Sequence, residues 1–201
     1  MDDNSESFDK TAELTALNAT TISPHLDLVE ACKKGDRTAQ FRIYQLYSRA
    51  MYNICVRILG DTAAAEDALQ EAFVSAFRKL NSFEGRSTFG AWLKRIVINK
   101  CVSTLQRNKM EFEPLEHAEA EAAIDPVLPE TILPRLDANT IQQAIDTLPE
   151  GCKVIFSLYQ LEGYDHQEIA DILGVSVSTS KSQFHRAKKL LQERLQQHYQ
   201  S

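Results

Sequence analysis

The chain has 201 residues, 43% hydrophobic and 25% charged, with a formal net charge of −6, a composition typical of a water-soluble protein with one large domain or two small ones. Its apolar runs are shorter than the roughly eighteen residues that span a membrane, and its acidic start, "MDDNSESFDK", lacks the apolar segment of a signal peptide. We therefore expect a cytoplasmic protein that does not insert into membranes.

The charge is distributed unevenly, so the total conceals two basic patches. Residues 25–108 carry thirteen basic and eight acidic side chains, whereas residues 109–137 carry two basic and eight acidic ones. Residues 86–109 contain six basic side chains and no acidic one, and residues 178–201 contain five basic and one acidic. Local patches govern contact with phosphates, so the acidic total does not exclude a nucleic-acid partner.

Apolar residues recur with helical spacing in nearly every ordered segment, and no stretch alternates as a strand would. Helices are predicted over 24–34, 37–59, 62–80, 87–107, 138–148, 150–161, 166–173 and 177–197. The tail 1–24 is polar and is expected to be disordered. Residues 109–137 hold four prolines and an acidic excess, which predicts an extended linker. The expected fold is all-α, with two small helical domains, 25–108 and 138–198, joined by that linker.

The last two predicted helices have the features of a helix-turn-helix. Asp165 and Glu168 form a D-x-x-E box suited to cap the first helix. Gly174 is placed to end that helix, and Ser176 to cap the next one. The residues that define the motif are His166, Gly174, Ser176 and Phe184. Since the second helix is basic, a DNA-reading role is favoured over a helical hairpin with a solvated basic face.

Cysteines and histidines form no pattern that carries chemistry. The cysteines lie far apart in apolar contexts, at Cys32, Cys55, Cys101 and Cys152, and are expected to be buried thiols. The five histidines neither cluster nor pair with a cysteine at metal-ligand spacing. We therefore expect no catalytic site, no metal and no cofactor.

Two long stretches resemble a known family. "LEGYDHQEIADILGVSVSTSKSQFHRAKKLL" resembles the carboxy-terminal domain of bacterial sigma factors of the sigma-70 family, specifically of the short extracytoplasmic-function class. "LGDTAAAEDALQEAFVSAFRKLNSFEGRSTFGAWLKRIVINKCVSTLQR" resembles the amino-terminal domain of that class. The resemblance implies an alternative sigma factor, which binds core RNA polymerase, directs it to promoter DNA and opens the −10 element, and it implies no enzyme activity. The carboxy-terminal domain would read the −35 element.

The resemblance also assigns a polymerase-binding surface. The outward acidic face of the predicted helix 62–80 can be interpreted as a solvated face that complements the positive helix start. The resemblance makes it the face that contacts the clamp helices of the largest polymerase subunit, through Glu66, Asp67, Gln70 and Glu71. The flap of the second-largest subunit and an anti-sigma factor are further expected partners.

By resemblance, the loop 81–88 and the helix after it contact the −10 element. Opening a duplex takes a base out of its stack, and a polar loop can hold that base by its pairing edge. The residues expected at the −10 element are Ser82, Phe83, Arg86, Ser87, Arg95 and Asn99. Trp92 has two interpretations, a packing residue between helices or a platform on which a base stacks.

The −35 contacts are expected on the second helix of the helix-turn-helix. They fall on Lys181, Ser182, His185, Arg186, Lys188 and Lys189. Lysine and arginine suit guanine, whereas Lys188 and Lys189 are expected at phosphates. The sequence departs from the family at Ser180, where an apolar residue is usual, and at residues 183–184. The register of the buried seam is therefore left open.

Two other functions compete with this interpretation. A LuxR-like helix-turn-helix regulator that does not bind core polymerase would need a receiver or ligand-binding domain, and the amino-terminal half lacks the strand–helix alternation of a receiver. An all-helical adaptor that binds only proteins would have no reason to exclude acids from residues 86–109. Copurification with core polymerase and a steep salt dependence of DNA binding distinguish these alternatives.

Overall fold

The structure, a computed structural model, describes residues 25–107 and 138–200, with the side chains of residues 139–197 in the second range. Every regular element in these ranges is helical, which confirms the all-α expectation for them. The helices are α1 Leu26–Lys33, α2 Arg37–Leu59, α3 Thr62–Arg78, α4 Phe89–Arg107, α5 Ala138–Asp146, α6 Glu150–Phe156, α7 His166–Leu173 and α8 Val177–Gln200. The predicted tail 1–24 and linker 109–137 lie outside the described residues.

Two of the α-helices end before their predicted ends, and each is followed by a 3₁₀ or a π-helical turn. A 3₁₀ turn, Leu80–Ser82, follows α3 and buries Leu80. A π-helical turn, Ser157–Leu161, follows α6. Helix α4 begins after Thr88, because the Thr88 hydroxyl accepts a hydrogen bond from the N–H of Ala91 at 3.2 Å and caps the first turn. The loop between α3 and α4 is therefore longer than the predicted helix ends implied.

The described residues of Met1–Cys55 and Thr62–Lys100 form one compact unit. Its core is the apolar stripe of each helix, and its largest buried side chains are Val29, Ile43, Phe89, Leu93, Val97 and Ile98. Burial of each such side chain stabilises the unit by about 1.5–3 kcal/mol relative to exposure. Helix α1 packs against the 3₁₀ turn, so the amino-terminal end of the described chain lies beside the loop 81–88.

The described residues of Val56–Asp61 and Cys101–Ser201 form the second unit. Helix α8 packs against α5, α6 and α7. One of its buried clusters consists of Ala144, Ile145, Leu148, Cys152, Ala187, Leu191 and Leu195. Helix α8 thus buries one face along much of its length and leaves the other faces for contacts outside the unit.

The four cysteines are buried and form no disulfide, as the sequence predicts. In the described residues, no group of three or more histidine, cysteine, aspartate or glutamate side chains is arranged to hold a metal ion. Among the helices of the described ranges, none is both long enough and apolar enough to cross a membrane.

Candidate nucleic-acid and protein interfaces

The turn between α7 and α8 has the local structure that the sequence predicts. The N–H of Glu168 donates to the Asp165 carboxylate at 2.8 Å, and the N–H of Asp165 donates to the Glu168 carboxylate at 2.9 Å. Gly174 ends α7 with a φ of 70°, in the left-handed region that favours glycine. The Ser176 hydroxyl caps α8 by accepting from the N–H of Thr179 at 3.0 Å. The capping box, the glycine stop and the serine cap are all confirmed.

A polar pair holds α7 against α8 at Ser180, the position where the family usually has an apolar residue. The Ser180 side chain is completely buried, and its hydroxyl lies 2.9 Å from Nδ1 of His166. The His166 ring also stacks on Tyr159, with centroids 4.5 Å apart. Burial lowers the pKa of His166, the charge of Lys181 lowers it further, and Asp165 opposes both. The buried serine is therefore satisfied by a half-buried imidazole whose pKa is lowered.

The second departure from the family, at residues 183–184, is accommodated in a similar way. Gln183 is 3% exposed, and its side-chain oxygen accepts a hydrogen bond from the Cys152 thiol at 2.9 Å. The Phe184 ring is buried beside Tyr159, with centroids 4.4 Å apart, and beside Phe156. Both side chains are therefore buried in the seam between the helices, and the amide oxygen of Gln183 has a hydrogen-bond partner there.

The six predicted −35 residues lie on two adjacent stripes of α8. Helical spacing places Lys181, His185 and Lys188 on one stripe and Ser182, Arg186 and Lys189 on the next. The two outermost lysines, at positions 181 and 189, are exposed, and the other four side chains are partly buried.

Ser182 and Lys188 both have contacts within α8. The Ser182 hydroxyl donates to the carbonyl oxygen of Thr179 at 3.1 Å. The ammonium of Lys188 lies 5.0 Å from the centroid of the Phe184 ring. Ser182 and Lys188 are therefore engaged within α8, whereas the side chains of Lys181 and Lys189 are exposed.

The predicted polymerase-binding residues all lie on the exposed side of α3, where they have different neighbours. Glu66 and Gln70 line a groove with Tyr44 and Tyr52 of α2. Glu71 forms an ion pair with Lys100 of α4. The acidic face is therefore divided between a groove towards α2 and an ion pair towards α4.

Sequence alone did not indicate that α2 contributes to this surface. Phe41 is 60% exposed, and Tyr44, three residues later on the same side of α2, packs edge-on against Phe73 of α3, with centroids 4.9 Å apart. The available signal was that Phe41 lies off the apolar stripe that α2 buries. Phe41 and Tyr44 therefore give the α2 side of this surface an apolar part.

The loop 81–88 has a buried base and an exposed tip. Of its predicted −10 residues, Ser82, Arg86 and Ser87 are exposed, and Arg86 pairs with Glu84 at 2.7 Å. Phe83 differs, because it is only 4% exposed and its ring packs against the ring of Trp92. We therefore revise the role of Phe83 from a DNA contact to a packing residue.

Helix α4 carries the remaining −10 residues. Arg95 and Asn99 are exposed and lie one helical turn apart, on the stripe that begins at Trp92. Trp92 contacts both Phe83 and Phe89, which supports its interpretation as a packing residue. The stripe thus starts where the loop 81–88 joins the core, and it continues along a helix segment without acidic side chains.

Comparisons with known proteins match both units. The family model "Sigma-70 region 2" matches residues 43–110, and the model "Sigma-70, region 4" matches residues 138–191. The chain is 32% identical over 180 residues to the ECF RNA polymerase sigma factor SigW of Bacillus subtilis, which covers 83% of this chain and 94% of that one. It is 31% identical over 178 residues to the RNA polymerase sigma-H factor of Pseudomonas aeruginosa, covering 84% and 92%.

A solved structure is similar as well. The sigma factor RpoE from Bartonella quintana, crystallised in complex with the anti-sigma factor NepR, has a TM-score of 0.51 with this chain. The sequence identity is 26%, and the match covers 77% of this chain and 95% of the other.

Proposed function

The chain belongs to the extracytoplasmic-function class of the sigma-70 family, and we propose which of its surfaces contact RNA polymerase and promoter DNA when it acts as an alternative sigma factor. Such a factor directs RNA polymerase to promoters. The first unit binds core polymerase and opens the −10 element. The second unit reads the −35 element. The chemistry of RNA synthesis belongs to the polymerase, so the chain itself acts as an initiation factor and not as an enzyme.

The alternative of a LuxR-like regulator that acts without core polymerase is not supported. Such a regulator would share only the helix-turn-helix, whereas the region 2 family model matches residues 43–110 of this chain. More than 80% of the chain is similar to ECF sigma factors, so the matched part is not a receiver or a ligand-binding domain.

The core polymerase-binding face consists of the exposed acids of α3 together with the groove towards α2. An acidic, exposed face is complementary to a basic partner surface, here the clamp helices of the largest subunit. Asp67 is the acid best placed for this contact, since it is exposed and Glu71 is engaged by Lys100. The apolar side chains of Phe41 and Tyr44 extend the face with surface that a partner can bury.

The observation that carries the role in promoter opening is the combination of the loop 81–88 with the stripe on α4. The loop presents an exposed polar tip on a buried aromatic base. Arg95 and Asn99 continue from that base along a segment without acids, which suits a single DNA strand. Together they form a polar site for a flipped base beside a basic track for its backbone.

The second unit is proposed to place α8 in the major groove of the −35 element. The flap of the second-largest polymerase subunit is its expected protein partner. An anti-sigma factor is proposed as an inhibitor of this chain, because the similar Bartonella factor was crystallised with one. The chain acts where core polymerase is found, in the cytoplasm.

Runoff transcription with purified core polymerase tests the proposal, and the start sites then define the promoter. On that promoter, Asn99→Ala should leave binding at the −35 element intact and reduce strand opening, which permanganate detects as reactive thymines in the −10 element. Asn53→Ala makes the same chemical change at an exposed position of α2 and serves as the control. Normal thymine reactivity with Asn99→Ala would remove this residue from the −10 surface, and failure to initiate at any promoter would reject the function.

A further inference from the structure

The loop 81–88 leaves the helical core at Phe83, and several contacts hold that residue. Its N–H donates to the carbonyl oxygen of Leu80 at 3.0 Å. Its ring lies among those of Phe89 and Trp92, with centroids 5.6 and 5.4 Å away. Its carbonyl oxygen accepts a hydrogen bond at 3.2 Å from the ammonium of Lys33, fifty residues earlier in the chain. Phe83 is therefore fixed on its backbone and its side chain.

Lys33 is well suited to hold this carbonyl. It is the last residue of α1, its side chain is 23% exposed, and Glu30 orients its ammonium at 2.8 Å. The same ammonium lies 5.9 Å from the centroid of the Phe83 ring. Hydrogen bonds from a charged donor are roughly twice as strong as neutral ones, and partial burial reduces their screening by water. Lys33 thus joins α1 to Phe83, the buried residue from which the loop tip, residues 84–88, extends.

The loop tip depends on such anchors because its own contacts are weak. Residues 84–88 are all exposed, and Gly85 gives the backbone a φ of 73° in the middle of the tip. The ion pair between Glu84 and Arg86 is solvent-exposed, and pairs of that kind contribute little to order. The position of the tip is therefore set where it leaves Phe83 and where it enters α4 at Thr88.

We propose that Lys33 is a positioning residue for promoter opening, which acts by fixing the Phe83 carbonyl and hence the place from which the loop tip meets the −10 strand. This proposal rests on the proposed role of the loop 81–88. Capture of a flipped base depends on geometry, and a displacement of about 1 Å can cost a large part of such an effect. No sequence motif predicts a function for helix α1, and through Lys33 this helix contributes to strand opening.

The test uses the full chain with core polymerase on the promoter found by start-site mapping. Lys33→Met removes the donor and keeps most of the side-chain length, and it should reduce permanganate reactivity of the −10 thymines about tenfold, the order expected for loss of a charged hydrogen bond. Binding at the −35 element should remain unchanged, and the thermal unfolding midpoint should fall by only a few degrees, so that the variant stays folded at the assay temperature. Lys33→Arg keeps the charge and a donor and should restore opening.

Two controls distinguish the possible causes of a defect. Lys34→Met removes the same charge at the next, exposed residue, so equal defects in Lys33→Met and Lys34→Met would show a general charge effect and overturn the proposal. The double variant Arg86→Ala, Ser87→Ala alters the tip itself. If that variant opens the promoter normally, the loop does not open DNA and the proposed function of the loop fails. If it is defective while Lys33→Met opens normally, only the role of Lys33 fails.

A base-by-base readout separates positioning from a loss of stability. Promoters with single base substitutions in the −10 or the −35 element are compared by the extent of their opening. With the unchanged protein, substitution of the captured −10 base should reduce opening most strongly. With Lys33→Met, opening should no longer depend on the identity of that base but should still depend on the −35 sequence. A uniform loss across all promoter variants would indicate a structural role and contradict the proposal.

Discussion

Two exposed lysines of α8 illustrate how position on a helix decides the role of a single residue. Lys181 lies on the stripe with His185, and Lys189 on the stripe with Arg186. We expect Lys181→Ala to cost about 1–3 kcal/mol and to relax preference at one or two −35 positions. We expect Lys189→Ala to weaken binding evenly and to lower the salt slope by about one unit. A library of −35 substitutions transcribed with each variant measures both effects.

A uniform loss of activity would contradict the assignment of Lys181 to a base. If Lys181→Ala loses activity to the same extent on every −35 variant, Lys181 contacts a phosphate. The assignment of base contacts along α8 would then have to move to the neighbouring stripe.

We expect His166 to make the stability of the helix-turn-helix depend on pH. Its folded pKa lies below the ordinary value of 6.5, mainly because of burial. As the pH falls through 6.5, the unfolded chain takes up a proton before the folded chain does. The stability linked to His166 is therefore complete above pH 6.5 and decreases as the pH falls towards the lowered folded pKa.

Urea unfolding followed by circular dichroism, from about pH 8 to about pH 5.5, measures this dependence. His166→Gln should flatten the decrease in stability between those limits. His185→Gln removes an imidazole outside the buried seam and should leave the decrease in place. If His166→Gln shows the same decrease as the unchanged chain, another group is responsible.

At the scale of the element, α3 shows that one helix face can serve two purposes. Glu71 is paired with Lys100 of α4, whereas Asp67 is exposed. The double variant Asp67→Lys, Glu71→Lys should abolish copurification with core polymerase and leave helicity intact. Since Glu71→Lys also places two ammonium groups together, Asp67→Lys alone is the sharper test and should cause most of the loss.

The control for α3 is Asp27→Lys, which makes the same charge change at an exposed position of α1. It should copurify with core polymerase as the unchanged chain does. A transcribing holoenzyme formed by the double variant of α3 would show that this acidic face is only solvated.

At the scale of the whole molecule, the charge distribution separates DNA binding from the net charge of −6. The two basic patches lie in separate stretches of the chain, residues 86–109 and 178–201, and we expect each patch alone to reach few phosphates. We therefore expect the free chain to bind promoter DNA weakly, with little preference over scrambled DNA and a steep salt dependence. Binding of both promoter elements at once, with polymerase present, should raise affinity and preference together.

Fluorescence anisotropy with promoter and scrambled duplexes, with and without core polymerase, tests this expectation. The ratio of the two affinities is the decisive quantity, because both affinities change with salt. A free chain that prefers the promoter as strongly as the holoenzyme does would contradict it.

The sequence alone was sufficient for features that depend on neighbours along the chain. The bounds of α2 and α7 are those predicted. The capping box at Asp165 and the stop at Gly174 also follow from local pattern. Such features are predictable because helix periodicity and capping involve residues within about four positions of one another.

Only the tertiary structure decided which distant side chains meet. The pairing of Glu71 with Lys100, the bond between His166 and Ser180, and the burial of Phe83 changed what the sequence had suggested for those residues. The contact from Lys33 to Phe83 spans fifty residues. Contacts of this kind depend on how helices pack across the core, and the period of one helix determines which face is buried but not which residue of another helix it meets.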